Sequence, residues 1–346
     1  MAETNRFITA THSLSDFLAL EIEKPQSILG DVFPVGALGV LYGKPGLGKT
    51  WLVLDLCFSV GCGEMWYELS TTQVPVGYLN LELPSWTIQQ RLQTLSDWLV
   101  GFYFDEEDLE GIQVCETRRQ AINQHFHLIP GLQDRITIEK PKDFSDLKTW
   151  NQHFGLKLLV IDALSRIHES DENSAKEFGK VLANLDKLRW QTGCAILLIH
   201  HEGKSQRNGQ DRDMDAMRGT SRLASDVQLV MHLDKQKGRL KLSFEKTNLG
   251  VTPEPIWLRL DEDGTSHRVD APPTRSAGAS EGKAQVLNCI QSAGVNGITT
   301  KEIGQATGHS KSTVQRYLNE LKDQGAIQQR GQGRATRYVK SPSNPP

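Results

Sequence analysis

The stretch Gly43-Lys44-Pro45-Gly46-Leu47-Gly48-Lys49-Thr50 has the spacing GxxxxGK[ST]. An apolar run, 38–42 (LGVLY), precedes it, and a helical pattern over 50–60 follows it. That strand, turn and helix are the context a phosphate-cradling loop requires. Its glycines let the backbone wrap closely with N–H groups turned inward, and the helix N-terminus adds a potential that favours an anion. The expected cradle is Gly43, Lys44, Pro45, Gly46, Leu47, Gly48, Lys49, Thr50 and the adjoining Trp51. Lys49 is placed to reach the β- and γ-phosphates and Thr50 to offer its hydroxyl to Mg2+, so ATP and Mg2+ are the expected cofactors.

Further apolar runs lie at 76–81, 156–161, 195–199 and 227–233, with helical patterns at 87–99 and 174–192 between them. Several runs are apolar at nearly every position, as strands covered on both faces must be. The alternation predicts an α/β domain with a mostly parallel sheet. Two more strands are expected at 239–245 and 256–260, and ITIEKP (136–141) reads as another in the poorly patterned stretch 101–150. Asp162 ends the run LLVID, where open α/β sheets place ligands, and beside a phosphate loop it is the expected acid of the Mg2+ shell. Glu82 ends VGYLNLE. If its strand adjoins the loop strand it can face the γ-phosphate and polarise water; as a surface residue at a helix start it would serve the macrodipole equally well. His200 and His201 follow CAILLI, and on residues alone a hydrogen-bonded structural histidine outweighs a γ-phosphate contact.

The chain has 346 residues, which suggests two domains, and a formal net charge of −3. Its five cysteines form no CxxC pair and no metal-ligand spacing, so a reducing cytoplasm is expected rather than a disulfide scaffold or structural zinc. The first residues lack the basic-then-apolar run of a signal peptide, and no apolar run is long enough to span a membrane. Residues 261–282 are small and polar with two adjacent prolines, the composition of a linker. The expected division is an N-terminal extension over 1–27, an ATPase domain over 28–260, a linker over 261–282, a winged helix over 283–340 and a disordered tail over 341–346.

That division splits the charge. From residue 281 onward there are nine Lys or Arg against four acids, a net +5, which leaves −8 for the rest. In the tail, 283–292 is amphipathic, ITTKEIGQATG gives a short capped helix, and 310–321 has the pattern of a recognition helix led by Lys311, Ser312, Thr313, Gln315 and Arg316. GAIQQRGQGRATRYVK then reads as a hairpin wing, with Arg330, Arg334 and Arg337 suited to phosphate or minor groove. Double-stranded DNA is the expected partner, with a wing used for protein contacts as the competing reading.

The succession GALGVLYGKPGLGKTWL, VGYLNLE, LLVIDALSRIHESDEN, TGCAILLIHH and RGTSRLASDVQLVMHL resembles RecA-like ATPases, and within them the RepA-type hexameric replicative helicases of plasmids and phages. The resemblance covers about 28–260. It implies a RecA-like P-loop NTPase fold, Glu82 as catalytic base, Asp162 as Mg2+-linked acid and His200 as γ-phosphate sensor. It further implies a homo-oligomeric ring, a hexamer by preference, in which Arg218 from a neighbouring subunit completes the site and Arg222 is a weaker match. A second basic element, K-x-R, stands here as Lys246-Thr247-Asn248, so its arginine is missing. The polar loop 202–215 matches loops that grip single-stranded DNA in such rings, with Lys204 and Arg207 as phosphate contacts, although its three aspartates offset three basic residues and it has no aromatic for stacking. The resemblance therefore implies a replicative DNA helicase. A DNA-binding regulator switched by ATP, a recombination or transposition accessory, and a filament-forming recombinase remain as alternatives.

Overall fold

The computed structural model describes residues 6–100, 109–132, 134–172, 174–202, 221–261, 263–271, 275–294, 297–309, 311–323, 326–330 and 336–341. The chain forms two compact units, Met1–Asp270 and Ala271–Pro346.

The larger unit is built on a nine-stranded sheet. From one edge to the other its strands are Ser266–Arg268, Ile256–Leu260, Arg239–Thr247, Leu229–Gln236, Leu38–Gly43, Ala195–His201, Leu158–Asp162, Val76–Asn80 and Phe126–Ile129. The six from Leu229–Gln236 to Phe126–Ile129 are parallel, and the remaining three add on antiparallel. Burial follows this division. Leu38–Gly43, Val76–Asn80 and Leu158–Asp162 are buried at every position, because helices cover both faces. Arg239–Thr247 instead alternates, with Leu240, Leu242 and Phe244 inward and polar residues outward.

Two apolar layers sandwich the sheet. One joins the helix Lys49–Cys62 to Leu41, Tyr78, Val160, Leu197 and Met231; the other joins the helices Pro141–Phe154 and Ala175–Thr192 to Val40, Leu79, Ile161 and Leu198. Ala175–Thr192 is bounded as its sequence dictates. Ser174 accepts from Glu177 N at the start, and Gly193 takes the left-handed conformation at the end.

Three expectations change. The extra strand in the unpatterned region is Phe126–Ile129, pairing with Val76–Asn80, whereas ITIEKP is not a strand; there Thr137 N donates to Asp143 Oδ2 and Ile138 N to Ile167 O. The segment 261–282 is not a featureless linker: Ser266–Arg268 extends the sheet on Ile256–Leu260, and a helix begins at Arg275. The strand before Glu82 does not adjoin the P-loop strand, since Ala195–His201 and Leu158–Asp162 lie between them.

The smaller unit is a winged helix. Helices Arg275–Ser292, Thr300–Thr307 and Lys311–Asp323 pack through Val286, Ile290, Ile303, Val314, Tyr317, Leu318 and Leu321, closed by the hairpin Ile327–Arg330 and Arg337–Lys340. A bridge between Ile298 and Tyr338 adds the short third strand. Thr300–Thr307 carries a full capping box, Thr299 with Glu302.

Candidate active site

The P-loop lies between the buried strand Leu38–Gly43 and the helix Lys49–Cys62. Gly43 is required by space: a Cβ there would stand 2.3 Å from Leu233 O. Gly48 caps the helix at φ +89° without a side-chain acceptor, so the first-turn N–H groups are left to an anion. A cavity of about 250 Å3 opens against this turn, lined by Gly46, Gly48, Lys49, Thr50, Trp51, Glu82, Leu83, Arg91, Asp162, Ile199, His201 and Leu260.

Four strand ends deliver the polar groups. Lys49 is buried, and its Nζ donates to Gly43 O at 2.7 Å and Lys44 O at 3.0 Å. It also lies 3.1 Å from His201 Nδ1, while His201 Nε2 is 3.1 and 3.2 Å from the two oxygens of Glu82. An ammonium can only donate, so Nδ1 accepts and Nε2–H donates to the carboxylate. One imidazole thus joins the phosphate-binding lysine to the glutamate. The bond from His201 holds the Glu82 carboxyl below its usual range, ahead of the opposing effect of burial. Glu82 lies two residues past Asn80, which pairs with Asp162, and Leu81 N donates to Asp162 O at 2.7 Å, so the two strand ends are level with each other.

Asp162 is buried at the tip of its strand, where its Oδ2 accepts from Thr50 Oγ1 at 2.8 Å and from Tyr78 OH at 2.7 Å. Its Oδ1 is buried without a hydrogen-bond partner. Burial pushes this carboxyl's pKa up, against the bonds from Tyr78 and Thr50. A hydroxyl and an orphaned carboxylate oxygen beside the phosphate cradle suit a hard cation, so Thr50 and Asp162 fit Mg2+. Among the described residues no cluster of three or more His, Cys, Asp or Glu suggests another metal.

The resemblance assigned the γ-phosphate contact to His200, but it is His201 that lies beside Lys49 and Glu82. Neighbouring strand residues face opposite sides of a sheet. His201 therefore faces the cavity, and His200 the far side, where its Nε2 lies 3.8 Å from Glu172 and its Nδ1 is buried unpaired. Glu172 also meets His168 at 3.2 Å. His200 does not contact Lys49 or Glu82 among the interactions of the site, and burial pulls its pKa down.

Arg91 was missed. It projects from the helix Ser85–Val100 into the cavity, 5.1 Å over the Trp51 ring. Its only sequence signal is a position nine residues beyond Glu82. Lys246, the basic residue left in the K-x-R position, donates to Ala224 O at 2.9 Å and Ser225 O at 2.8 Å, capping the helix Ser221–Asp226. Asn248 holds the adjoining backbone, its N–H donating to Gln228 O. Arg218, Lys204 and Arg207 lie outside the described residues, as do Arg334 and the side chains of Arg222, Lys311 and Ser312.

On the winged helix, Gln315 and Arg316 are exposed on Lys311–Asp323, and Thr313 is half-buried. Arg330 and Arg337 face each other on one rung of the hairpin. Arg337 Nη1 donates to Gly297 O at 2.8 Å.

A family profile described as AAA domain (AAA_25) matches residues 4–207, and one described as MarR family (MarR_2) matches residues 282–337. Among solved structures, the chain is similar to one titled as a DnaB-like replicative helicase and its interactions with primase. Identity there is 12%, the TM-score is 0.52, and the match covers 68% of this chain and 58% of that one. The chain thus spans under two thirds of that protein's length. A looser likeness links it to a KaiC-like protein of the hyperthermophilic archaeon Pyrococcus horikoshii, at 16% identity and a TM-score of 0.41, over 68% of this chain and 91% of that one.

Proposed function

Because the chain belongs to the AAA domain family, we propose that it is an ATP-hydrolysing motor that works on DNA, a ring helicase of the replicative type serving a plasmid, phage or similar element. The observation that carries the ATPase reading is the continuous contact Lys49–His201–Glu82 beside the Thr50–Asp162 pair. Glu82 takes the proton of the attacking water, and its lowered pKa keeps it ionised at neutral pH. Lys49 and Arg91 offset the charge that builds on the phosphoryl oxygens. His201, touching both lysine and base, senses whether the γ-phosphate is present. Mg2+, held by Thr50 and Asp162, would supply charge neutralisation across the phosphates. Arg218 of a neighbouring subunit is the proposed trans finger, Lys204 and Arg207 the contacts to single-stranded DNA, and Gln315, Arg316, Arg330 and Arg337, with Lys311, Ser312, Thr313 and Arg334, the contacts to duplex DNA.

A second reading has its own support. Asn248 stands where the second arginine would be, and Lys246 is engaged in capping a helix. A site short of trans cations suits an ATP-switched DNA-binding regulator that does not unwind. ATPase rates with and without single-stranded DNA, run beside particle imaging and a forked-duplex unwinding assay, separate the two. A DNA-stimulated hexamer that displaces a strand supports the motor; a dimer without stimulation or displacement supports the regulator.

A further inference from the structure

On the face of the sheet away from the nucleotide cavity lies a second charged cluster. His232, on Leu229–Gln236, stacks flat on Tyr42 of the P-loop strand, ring centroids 4.4 Å apart and planes 8° from parallel. Its Nε2 is 2.8 Å from Glu202 Oε1, and its Nδ1 is 3.2 Å from Glu245 Oε1. Tyr42 closes the set by donating to Glu245 Oε2 at 2.5 Å. The side chains of His232, Glu202 and Glu245 are 11%, 9% and 13% exposed, so water does little to screen these contacts.

Both ring nitrogens of His232 meet carboxylates, and only an imidazolium donates from both. Glu202 is the residue after His201, at the exit of its strand. Its backbone N donates to Gly43 O at 3.3 Å, the same carbonyl that accepts from Lys49 Nζ at 2.7 Å. One end of the cluster therefore grips the chain one residue from the ring that links Lys49 to Glu82. On the preceding residue, His200 sits by Glu172 on that same far face.

We propose that His232 is a positioning residue for His201: by holding Glu202 it fixes the strand exit, and so keeps the His201 ring between Lys49 and Glu82. The inference rests on the reading of this site as an ATPase centre. It adds that the turnover rate depends on an imidazolium that touches neither nucleotide nor reacting atoms. Glu202 and Glu245 occupy both faces of the charge balance. Lys241 lies beyond Glu245 on Arg239–Thr247, Asp234 lies two residues along the strand of His232, and Tyr42 presents its hydroxyl. Burial alone would lower the pKa of His232, but its bonds to Glu245 and Glu202 outweigh burial and raise it. The grip is thus held while the carboxylates are ionised and His232 is protonated, and it is lost as pH rises through that raised value.

The test uses the full chain, with ATP turnover followed from pH 6 to pH 10 and ADP binding followed by calorimetry. His232→Gln is expected to lower kcat about tenfold, since small displacements of a positioned group cost that much or more. KM for ATP, ADP affinity and melting temperature should stay near wild type, within about twofold for the first two. Wild-type kcat should decline on the alkaline side, and His232→Lys, which keeps a charge between the carboxylates, should recover part of the lost rate and move that decline. If His232→Gln turns over like wild type, or if its loss of rate tracks a matching loss of ADP affinity and melting temperature, the inference is overturned. Should His232 variants not fold, Glu202→Gln weakens the same contact without removing the ring; a fall in kcat at unchanged ADP affinity supports the proposal, and an unchanged kcat overturns it. A wild-type chain that binds but does not hydrolyse ATP removes the ATPase reading itself, whereas an active wild type with an unaffected His232→Gln removes only the positioning role.

Discussion

Glu82 is ionised at neutral pH, and the bond from His201 holds its carboxyl further below the usual range. Glu82→Gln should therefore lower kcat by roughly 10²–10⁴-fold while ADP still binds, read by steady-state turnover beside calorimetry. An unchanged kcat would remove Glu82 as the base. Asp55 gives a prediction of stability rather than rate. It is buried in the helix Lys49–Cys62, and burial pushes its pKa up to about 6. The folded pKa lies above the ordinary 3.8, so this group favours folding fully below about pH 4, and that contribution is lost as pH rises through 6. At pH 8 the buried charge costs on the order of 3 kcal/mol. Asp55→Asn, whose amide oxygen still accepts, should melt higher than wild type at pH 8, with the gap closing near pH 4. The P-loop was readable in sequence because its spacing places Lys49 and Thr50 between a buried strand and the head of a helix. The choice between His200 and His201 was not, since it depends on which face of the strand each residue takes, and a parallel strand apolar on both faces carries no alternation to reveal it. In a mutational scan the two should separate: position 200 should lose abundance, position 201 turnover at unchanged abundance.

The central strands were readable as elements because helices cover both their faces, which forces runs such as LGVLY and LLVI. Phe126–Ile129 escaped because it is an edge strand, half-buried throughout, that follows the helix Leu109–His125 without a break. ITIEKP has the composition of a strand, but its backbone is claimed by Asp143 and Ile167. Sheet order was also hidden: two strands separate the strand leading to Glu82 from the P-loop strand, and it is His201, on one of those between, that meets its carboxylate. At this scale Lys246 is a helix cap. Lys246→Met should destabilise the larger unit by about 1–2 kcal/mol, through two lost hydrogen bonds and an uncompensated helix C-terminus. Chemical denaturation measures this, and a variant as stable as wild type would return Lys246 to the list of free cations. Gly77 makes a similar case by sterics: a Cβ there would fall 2.4 Å from Leu156 and 2.8 Å from Trp150. Gly77→Ala should cost about 1–3 kcal/mol by overpacking.

The near-neutral net charge of −3 conceals a −8 body and a +5 tail. Duplex DNA should therefore bind through the winged helix in a strongly salt-dependent way. Replacing Arg316, Arg330 or Arg337 by Ala should each flatten the plot of log affinity against log salt by about 0.9, if each meets one phosphate. Fluorescence anisotropy across a salt series reads this, and an unchanged slope at all three would place the DNA surface elsewhere. The existence of a second, basic unit was plain from composition. Its start was not, because the small and polar residues of 261–282 contain both a sheet strand and the head of a helix. Finally, the apolar cluster around Val286, Val314 and Leu318 shares no residue with the two clusters flanking the large sheet. Heat should therefore melt this chain in two calorimetric transitions, so that its stability is two numbers rather than one. Thr299→Ala should move only the tail's transition, by about 1 kcal/mol of lost capping, and Asp55→Asn only the other.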